Sequence, residues 1–350
     1  MDSETVRACS FETAALQPVP TPKVRIAVVV PCFRVRDKIV GVIERIGPEV
    51  ERIYVVDDAC PEGTADLVQS VCRDPRVDVI RLAVNQGVGG AVSEGYRCAL
   101  RDGAQIVVKI DGDGQMAPEL VPELISPILA GHADYIKGNR FFFLGGVRQM
   151  PAVRLVGNAV LSFLTKLSTG YWQVFDPTNG FTAVSRQALQ RCDLARVSKR
   201  YFFESDMLFQ LALARAVVAD FPMKAVYADE QSSLRPMRVV GTFLRGHLVN
   251  FARRVLYTYF VRGFSLASVE LVIGLLLILF SIAFGVSEWI TSTRMGAPAT
   301  AGTVMLAALP AILGTQLTLS WLHFDIQSEP RIPITSLTET SCGARTKIDN

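Results

Sequence analysis

The stretch QIVVKIDGDGQ, residues 105–115, joins a short apolar run to a turn that carries two carboxylates. The β-branched residues of Gln105–Ile110 predict a buried strand. Three similar runs precede it, at Val24–Val30, Arg52–Val56 and Val77–Leu82, with helix-like segments between them. Strands that alternate with helices are typical of a parallel sheet with crossover helices. We therefore predict an α/β domain over residues 24–235, preceded by a flexible segment of residues 1–23.

Composition excludes several classes of protein. Of the 350 residues, 50% are hydrophobic and 20% are charged, which excludes a mostly disordered chain. The formal net charge of +3 is too small to indicate nucleic-acid binding through bulk electrostatics, so no nucleic-acid partner is predicted. The seven cysteines are scattered without a Cys-x-x-Cys pair, which argues against a disulfide scaffold and against a zinc site.

Two charge-free stretches near the C-terminal end predict a membrane hairpin. The first includes Leu271–Ser287 and predicts a transmembrane helix over residues 264–286. The second, between Arg294 and Asp325, predicts another over residues 303–323. The alternative is a pair of buried helices in a soluble core, and the length of both runs argues against it.

A basic segment precedes the hairpin, and it contains no acid from Leu234 to Ala267. Its arginines are Arg235, Arg238, Arg245, Arg253, Arg254 and Arg262. Interleaved apolar residues predict amphipathic helices over residues 236–263 at an anionic membrane surface, although a solvated basic helix would show the same pattern. The positive-inside rule places the α/β domain and the tail, residues 324–350, on the cytoplasmic face of the inner membrane, with two crossings between them.

Candidate binding residues follow each predicted strand at the point where it ends. They are the apolar Pro31 and Phe33 after the first strand, and then the polar Asp57, Asp58, Asn85, Asp111, Asp113 and Gln115. Ligands of open parallel sheets bind at the carboxyl ends of the strands, so one crevice could hold all of these side chains. Neither the Gly-x-Gly-x-x-Gly turn of a dinucleotide dehydrogenase nor a Walker loop occurs where it would be needed.

The oxygens of Asp111, Asp113 and Gln115 are suited to Mg²⁺ or Mn²⁺, which fill their remaining positions with water and substrate phosphates. A loop stabilised by Asx-turns would explain the Asp-x-Asp pair equally well when it is taken alone. The acids at the other strand ends favour the metal site.

Six short sequence motifs resemble those of glycosyltransferase family 2, and within it those of the polyprenyl-phosphate sugar synthases, and they occur in the family's order. They are VVVPCF, YVVDDACPEGTAD, NQGVGGAVSEG, VVKIDGDGQMAPE, DYIKGNRF and FDPTNGFTAV. The resemblance covers about residues 24–184 and implies a glycosyltransferase-A fold, which is Rossmann-like with a mostly parallel sheet. It also implies a nucleotide-diphosphate-sugar donor (a UDP- or GDP-hexose), Mg²⁺ or Mn²⁺, and a polyprenyl phosphate acceptor.

The resemblance also implies roles for single residues. Pro31, Asp57 and Asp58 match positions that contact the base and ribose of the donor, and we assign Phe33 and Asn85 to the same site. Asp111, Asp113 and Gln115 match the motif for the metal and the diphosphate. The chain departs from the family at Tyr227–Leu234, which lacks the arginine often found there.

A lipid phosphate is already ionised at pH 7, so its transfer reaction needs cations that position the nucleophile rather than a general base. The candidates for this role are Arg140, Arg148, Arg154 and Asn158, of which the last two share a helix face. Ordinary surface arginines are the alternative. Attack in line on the anomeric carbon, with Asp113 and its neighbours holding the metal, would invert the sugar.

Three points stay open at this level. Glu204 and Asp206 could orient sugar hydroxyls, or Glu204 could pair with Arg200. A transferase of the same fold that acts on a hydroxyl acceptor, in polysaccharide or glycolipid synthesis, is the alternative enzyme, and a silent membrane scaffold is the alternative class. A homo-oligomer is neither indicated nor excluded.

Overall fold

The computed structural model describes residues 24–143, 152–223 and 236–337. One seven-stranded sheet organises the first two ranges, with strand order β3-β2-β1-β4-β6-β5-β7. Its strands are β1 (Ile26–Cys32), β2 (Arg52–Asp57), β3 (Val77–Arg81), β4 (Ile106–Lys109), β5 (Tyr135–Asn139), β6 (Thr182–Ser185) and β7 (Val218–Pro222). All neighbours pair in parallel except at β6, which is antiparallel to both β4 and β5. The predicted mostly parallel sheet is confirmed.

Helices cover both faces of this sheet. In chain order they are α1 (Arg36–Glu44), α2 (Thr64–Val71), α3 (Val88–Arg101), α4 (Val121–Leu129), α5 (Ala152–Thr169), α6 (Arg186–Arg191) and α7 (Phe203–Ala214). Every residue of β1 is buried, as expected for a strand with helices on both sides. Ala27 and Val29 pack in the core with α3 and α7, whereas Val28 and Val30 pack in the core with α1 and α4.

Three long helices follow the sheet domain: α8 (Pro236–Leu256), α9 (Leu266–Met295) and α10 (Ala301–Gln327). A short π-helical turn, Tyr257–Val261, connects α8 to the segment before α9. By length and composition, α9 and α10 could each cross a membrane, and most of their residues are exposed. Pro310 lies inside α10 without ending it.

The two apolar helices form a hairpin because small residues let their backbones approach. A Cβ atom built on Gly314 would lie 2.8 Å from the carbonyl oxygen of Gly274, so no larger residue fits there. The Ser281 hydroxyl donates to the carbonyl of Ala307 across the same contact. Close packing through small residues is the usual way in which helices associate in lipid.

A buried carboxylate connects the hairpin to the sheet domain. Asp325, at the end of α10, is 3% exposed and accepts hydrogen bonds from Arg254 of α8, Tyr259 of the π turn and Trp172 after α5. Arg254 also donates to the carbonyl of Leu167 near the end of α5. Three regions that are distant in sequence, residues 167–172, residues 254–259 and the end of α10, are therefore held together around one charge pair.

This arrangement corrects one expectation from the sequence. Arg254 was grouped with the arginines that face an anionic surface, but it is 5% exposed and its charge is neutralised by Asp325. Arg245 and Arg253 are exposed, as the prediction required. Arg235 lies outside the described residues. Exposed apolar side chains at Val240, Leu244 and Leu248 give α8 the apolar stripe of an amphipathic helix.

Replacing Asp325 with Ala is expected to destabilise the protein by about 3–5 kcal/mol, because Arg254 would remain buried without a counter-charge. Thermal unfolding of the full chain in detergent measures the effect. Glu270→Gln is the control. Glu270 lies near the start of α9, and its carboxylate accepts a hydrogen bond from the Ser320 hydroxyl rather than from a buried arginine. If both variants unfold at the wild-type temperature, the buried pair does not hold the hairpin to the sheet domain.

Candidate active site

A cleft of about 670 Å³ lies at the carboxyl ends of β1, β2 and β4. Six of the residues predicted from the sequence line it: Pro31, Phe33, Asp58, Asn85, Asp111 and Asp113. Parallel strands bring them together because their carboxyl ends share one edge of the sheet. Arg34, Arg200 and Tyr201 also line the cleft, and the sequence analysis had not assigned them to it.

The loop after β4 presents two carboxylates to the cleft. The backbone N–H of Gln115 donates to Asp113 over 3.0 Å, which fixes the turn. Burial raises the pKa of the Asp113 carboxyl, and the nearby charge of Asp111 raises it further. A cation bound between these groups would favour their ionised forms. Gln115 itself is not among the residues that line the cleft.

A buried lysine stands beneath this loop. Lys109, the last residue of β4, is 1% exposed, and its Nζ lies 2.8 Å from Asp111 and 3.2 Å from Glu204. Burial alone would lower the pKa of Lys109, but the two carboxylates raise it above its usual value. The ammonium group is therefore charged and fixes the position of Asp111.

Space around Lys109 depends on Gly180. A Cβ atom at this position would lie 2.3 Å from Lys109 Nζ and 2.4 Å from Asp111 Oδ2. Only glycine leaves room for the ion pair. Lys109 could have been noticed in the sequence as a single charge in an apolar strand. Nothing in the sequence indicated that Asp111 and Glu204 are its partners.

Asp57 and Asp58 shape the wall of the cleft. The Asp57 carboxylate accepts from the backbone N–H groups of Cys60 and Ala65, and Asp57 does not line the cleft. The Asp58 carboxylate accepts from the N–H groups of Gln86 and Gly87 while it borders the cleft. Both oxygens of Asp57 thus hold the loop that follows β2, and its contact with the donor stays a prediction.

Arg140 forms a contact in the structure that the sequence analysis did not predict. Its guanidinium forms two parallel hydrogen bonds with Asp176, at 2.8 and 2.7 Å, and Asp176 is 1% exposed. Burial opposes the ionisation of Asp176, but the bonds from Arg140 hold the pKa of its carboxyl below the usual range. Nε and Nη2 of the guanidinium are therefore committed to a buried carboxylate, and the binding of an acceptor phosphate by Arg140 stays a prediction.

The remaining acceptor candidates lie along one segment. Asn158 is half-buried on α5, and it has interactions with neighbouring groups. Arg148 lies outside the described residues. Arg154 falls within α5, whose first turn the structure describes only by its backbone.

The two acids of α7 are both engaged. Glu204 pairs with Lys109 rather than with Arg200, which corrects one of the two alternatives from the sequence. Asp206 accepts from the Ser198 N–H and from the Asn250 side chain, so it connects α7 to α8. Burial raises the pKa of Asp206.

The donor set fits a divalent cation that shares its coordination with a substrate. Within the described ranges no group of three or more His, Cys, Asp and Glu side chains is placed to hold a metal ion. Asp111 Oδ1 is buried without a hydrogen bond, although it lies close to Lys109. One or two carboxylates completed by substrate phosphates are a common Mg²⁺ site, and Asp111 and Asp113 both border the cleft.

The chain belongs to the glycosyl transferase family 2, whose model matches residues 27–192. It is 34% identical over 195 residues to the polyprenol monophosphomannose synthase of Mycolicibacterium smegmatis, covering 54% of this chain and 72% of that one. It is 28% identical over 218 residues to the UDP-N-acetylglucosamine–dolichyl-phosphate N-acetylglucosaminyltransferase of Methanococcus voltae, covering 58% and 86%.

Among solved structures, the model is similar to the glucosyl-3-phosphoglycerate synthase of Mycobacterium tuberculosis, crystallised with Mn²⁺, UDP and glucosyl-3-phosphoglycerate. The TM-score is 0.49 at 21% identity, and the match covers 66% of this chain and 79% of that one.

Gly180→Ala is expected to lower kcat for sugar transfer at least tenfold, because the added methyl group would displace Lys109 or Asp111 by steric contact. A tenfold change in rate corresponds to about 1.4 kcal/mol of lost transition-state stabilisation. Steady-state kinetics with saturating donor measure it. Gly41→Ala is the control, since no atom lies within 4 Å of a Cβ at that position. Unchanged kcat in Gly180→Ala would show that the position of the ion pair does not matter for the reaction.

Proposed function

We propose that the protein transfers a hexose from a nucleotide-diphosphate sugar to a polyprenyl phosphate, with inversion at the anomeric carbon. The observation that carries the proposal is a cleft with an Asp-x-Asp loop in a domain bound, through Asp325, to a hairpin of membrane-spanning length. The family and the two named relatives support the reaction class. Because one relative is named for mannose and the other for N-acetylglucosamine, the hexose stays open.

The donor would lie across the carboxyl ends of the strands. Asn85 and Phe33 border the part of the cleft next to β1 and β2, where the base and ribose would bind, and Asp58 holds that wall in place. Asp113, with Asp111 beside it, would hold Mg²⁺ or Mn²⁺ against the diphosphate. Such a metal ion supplies positive charge that stabilises the leaving diphosphate.

Two arginines add positive charge to the same cleft. Arg34 and Arg200 line it, and in the described part of the chain neither forms an ion pair. We infer that one of them binds a donor phosphate, because arginine donates two parallel hydrogen bonds to phosphate oxygens. Such a contact would supply the charge that Tyr227–Leu234 does not provide.

In the reaction, an acceptor phosphate oxygen attacks the anomeric carbon as the bond to the diphosphate oxygen breaks. The bonding electrons move to the leaving diphosphate, and no proton has to be removed from the nucleophile. An α-linked donor would give a β-linked lipid phosphate. Arg148 and Arg154, with Asn158 one turn further along α5, are proposed to hold the acceptor phosphate.

The carboxylates of α7 favour this acceptor over a hydroxyl. A hydroxyl acceptor needs a general base. Glu204 and Asp206 are the acids to which the sequence analysis gave a possible role at the sugar hydroxyls. Glu204 is paired with the Lys109 ammonium and Asp206 is held by two hydrogen bonds. Neither carboxylate is free to accept a proton without breaking its own contacts.

We further propose that α9 and α10 span the inner membrane, with the sheet domain on the cytoplasmic side. The excess of arginine before α9 supports this orientation. The exposed apolar stripe of α8 would lie in the headgroup region, so that the cleft and the lipid phosphate share one side of the bilayer.

Asp113→Ala is expected to reduce transfer below about 1% of wild type, since removal of a metal-held charge at the leaving group costs several kcal/mol of transition-state stabilisation. Mass spectrometry of the lipid product, with UDP- and GDP-hexoses and undecaprenyl phosphate, measures it. Asp66→Ala removes an exposed carboxylate on α2 and serves as the control. Full activity of Asp113→Ala would exclude the proposed metal site.

Arg148→Ala is expected to raise KM for the lipid phosphate about tenfold or more with a smaller change in KM for the donor, because a charge-assisted bond to phosphate contributes roughly 1.5–3 kcal/mol. Initial rates at varied lipid and donor concentrations separate the two constants. Product formed only on alcohol acceptors would instead favour the hydroxyl-directed transferase.

A further inference from the structure

A second cavity of about 670 Å³ lies where the membrane hairpin meets the sheet domain. Residues at the ends of α6 and α7, the turn before α9 and the segment after α10 form its walls. That segment is anchored at Ile334, whose N–H donates to Asp134, the residue before β5. Asp134 marks the amino end of β5, and β5 runs parallel to β4. The cavity is therefore at the amino ends of these strands, on the opposite side of the sheet domain from the candidate active site at their carboxyl ends.

Four arginines line this second cavity: Arg191, Arg215, Arg262 and Arg331. Among the described residues none of the four forms an ion pair. Burial lowers the pKa of Arg262, and the charge of Arg215 lowers it further, so the two guanidinium groups repel each other. Glu329 is the acid in the lining, and its carboxylate also faces the backbone amides of Trp172 and Gln173.

The partial negative charges at helix C-terminal ends do not neutralise all of this positive charge. The C-terminal ends of α6, α7 and α10 all reach the cavity, and each carries about half a negative charge at most. The acids at the cavity are Glu329, which attracts Arg331, and Asp134, whose carboxylate holds Ile334. Together with the helix ends they still leave the four arginines in slight excess. An anion that binds here would relieve the repulsion between Arg215 and Arg262.

The position of the cavity indicates where the anion comes from. Arg262 lies four residues before the first residue of α9, and Gln327 is the last residue of α10. If the hairpin spans a bilayer, both residues lie at the depth of the lipid headgroups on one side. We propose that this cavity binds a phosphate group, presented by the headgroup of an anionic phospholipid, and this rests on the membrane placement under the proposed function.

The role of such a lipid follows from the walls of the cavity. A phosphate held by guanidinium groups from α7, the turn before α9 and the segment after α10 would connect the sheet domain to both ends of the hairpin. It would add to the Asp325 contact from the other side of the junction. The bound lipid would therefore stabilise the folded chain without entering the transfer reaction.

Thermal unfolding of the full chain in nanodiscs tests this. We expect a higher Tm in discs that contain phosphatidylglycerol than in discs of phosphatidylcholine alone. In Arg191→Gln/Arg215→Gln this difference should disappear. In Arg245→Gln/Arg253→Gln, which removes the same charge from the exposed side of α8, it should persist. Equal loss in both double variants would show attraction to the basic surface in general and would overturn the site.

Two further measurements keep the test independent of how well the variants fold. Native mass spectrometry of the wild type should retain phosphatidylglycerol in preference to phosphatidylcholine, and no preference would overturn the proposal. In detergent, inorganic phosphate is compared with chloride at equal ionic strength. Stabilisation by phosphate in the absence of any lipid effect would overturn the lipid source and leave a site for soluble phosphate. None of these measurements uses donor or acceptor, so failure of the transfer reaction would be seen separately.

Discussion

A single buried carboxylate decides how the two halves of this protein are joined. Asp325 lies in the last turn of α10, which contains no other Asp, Glu, Lys or Arg, and a buried carboxylate without partners would be very costly there. Arg254, Tyr259 and Trp172 each donate to it, from the interface helix, the π turn and the loop after α5. The hairpin is therefore attached at a fixed place and angle. Because Arg254 also binds the carbonyl of Leu167, that attachment extends to α5, the helix on which the acceptor candidates Arg154 and Asn158 lie. In the proposed reaction the membrane anchor and the acceptor site are parts of one rigid junction.

The fold was largely predictable because its signals are local. The apolar runs in β1, β2 and β4 are almost continuous, as a strand buried on both faces requires, whereas the edge strand β3 contains Asp78. The helices α9 and α10 are long and almost free of charge. The polar residues that follow the strands could be placed in one crevice because parallel strands end at a common edge. Contacts between distant segments were not predictable in this way. A sequence shows that Arg254 and Arg140 are basic, but not that Asp325 and Asp176 remove their charges from the surface. Lys109 was visible as a charge in an apolar strand, and its partner Glu204 was noted, yet 95 residues separate them and no periodicity connects them.

The same physical rule explains each of these corrections. A charge inside the protein is tolerated when an opposite charge and further hydrogen bonds surround it. In each of these cases a partner comes from a distant part of the chain: Asp176, Asp325 and Glu204. Arg140, Arg254 and Lys109 all follow this rule. Arg245 and Arg253 are exposed instead, as the amphipathic pattern predicted, and their contact with a membrane surface stays a prediction.

Charge is thus distributed between two edges of one sheet. At the carboxyl edge, Lys109 fixes Asp111 from below, so the loop keeps its shape before any cation or diphosphate arrives. That preorganisation matters because a cation-binding loop that had to assemble during the reaction would lose part of its electrostatic effect. At the opposite edge, four arginines share the second cavity with the carboxylate of Glu329. An internal charge pair stabilises a fixed geometry, whereas an excess of one sign is relieved by a ligand from outside the chain. In the two proposals the edges therefore differ in kind: a preformed loop would position the donor at one, and an anion from the membrane surface would complete the charge balance at the other.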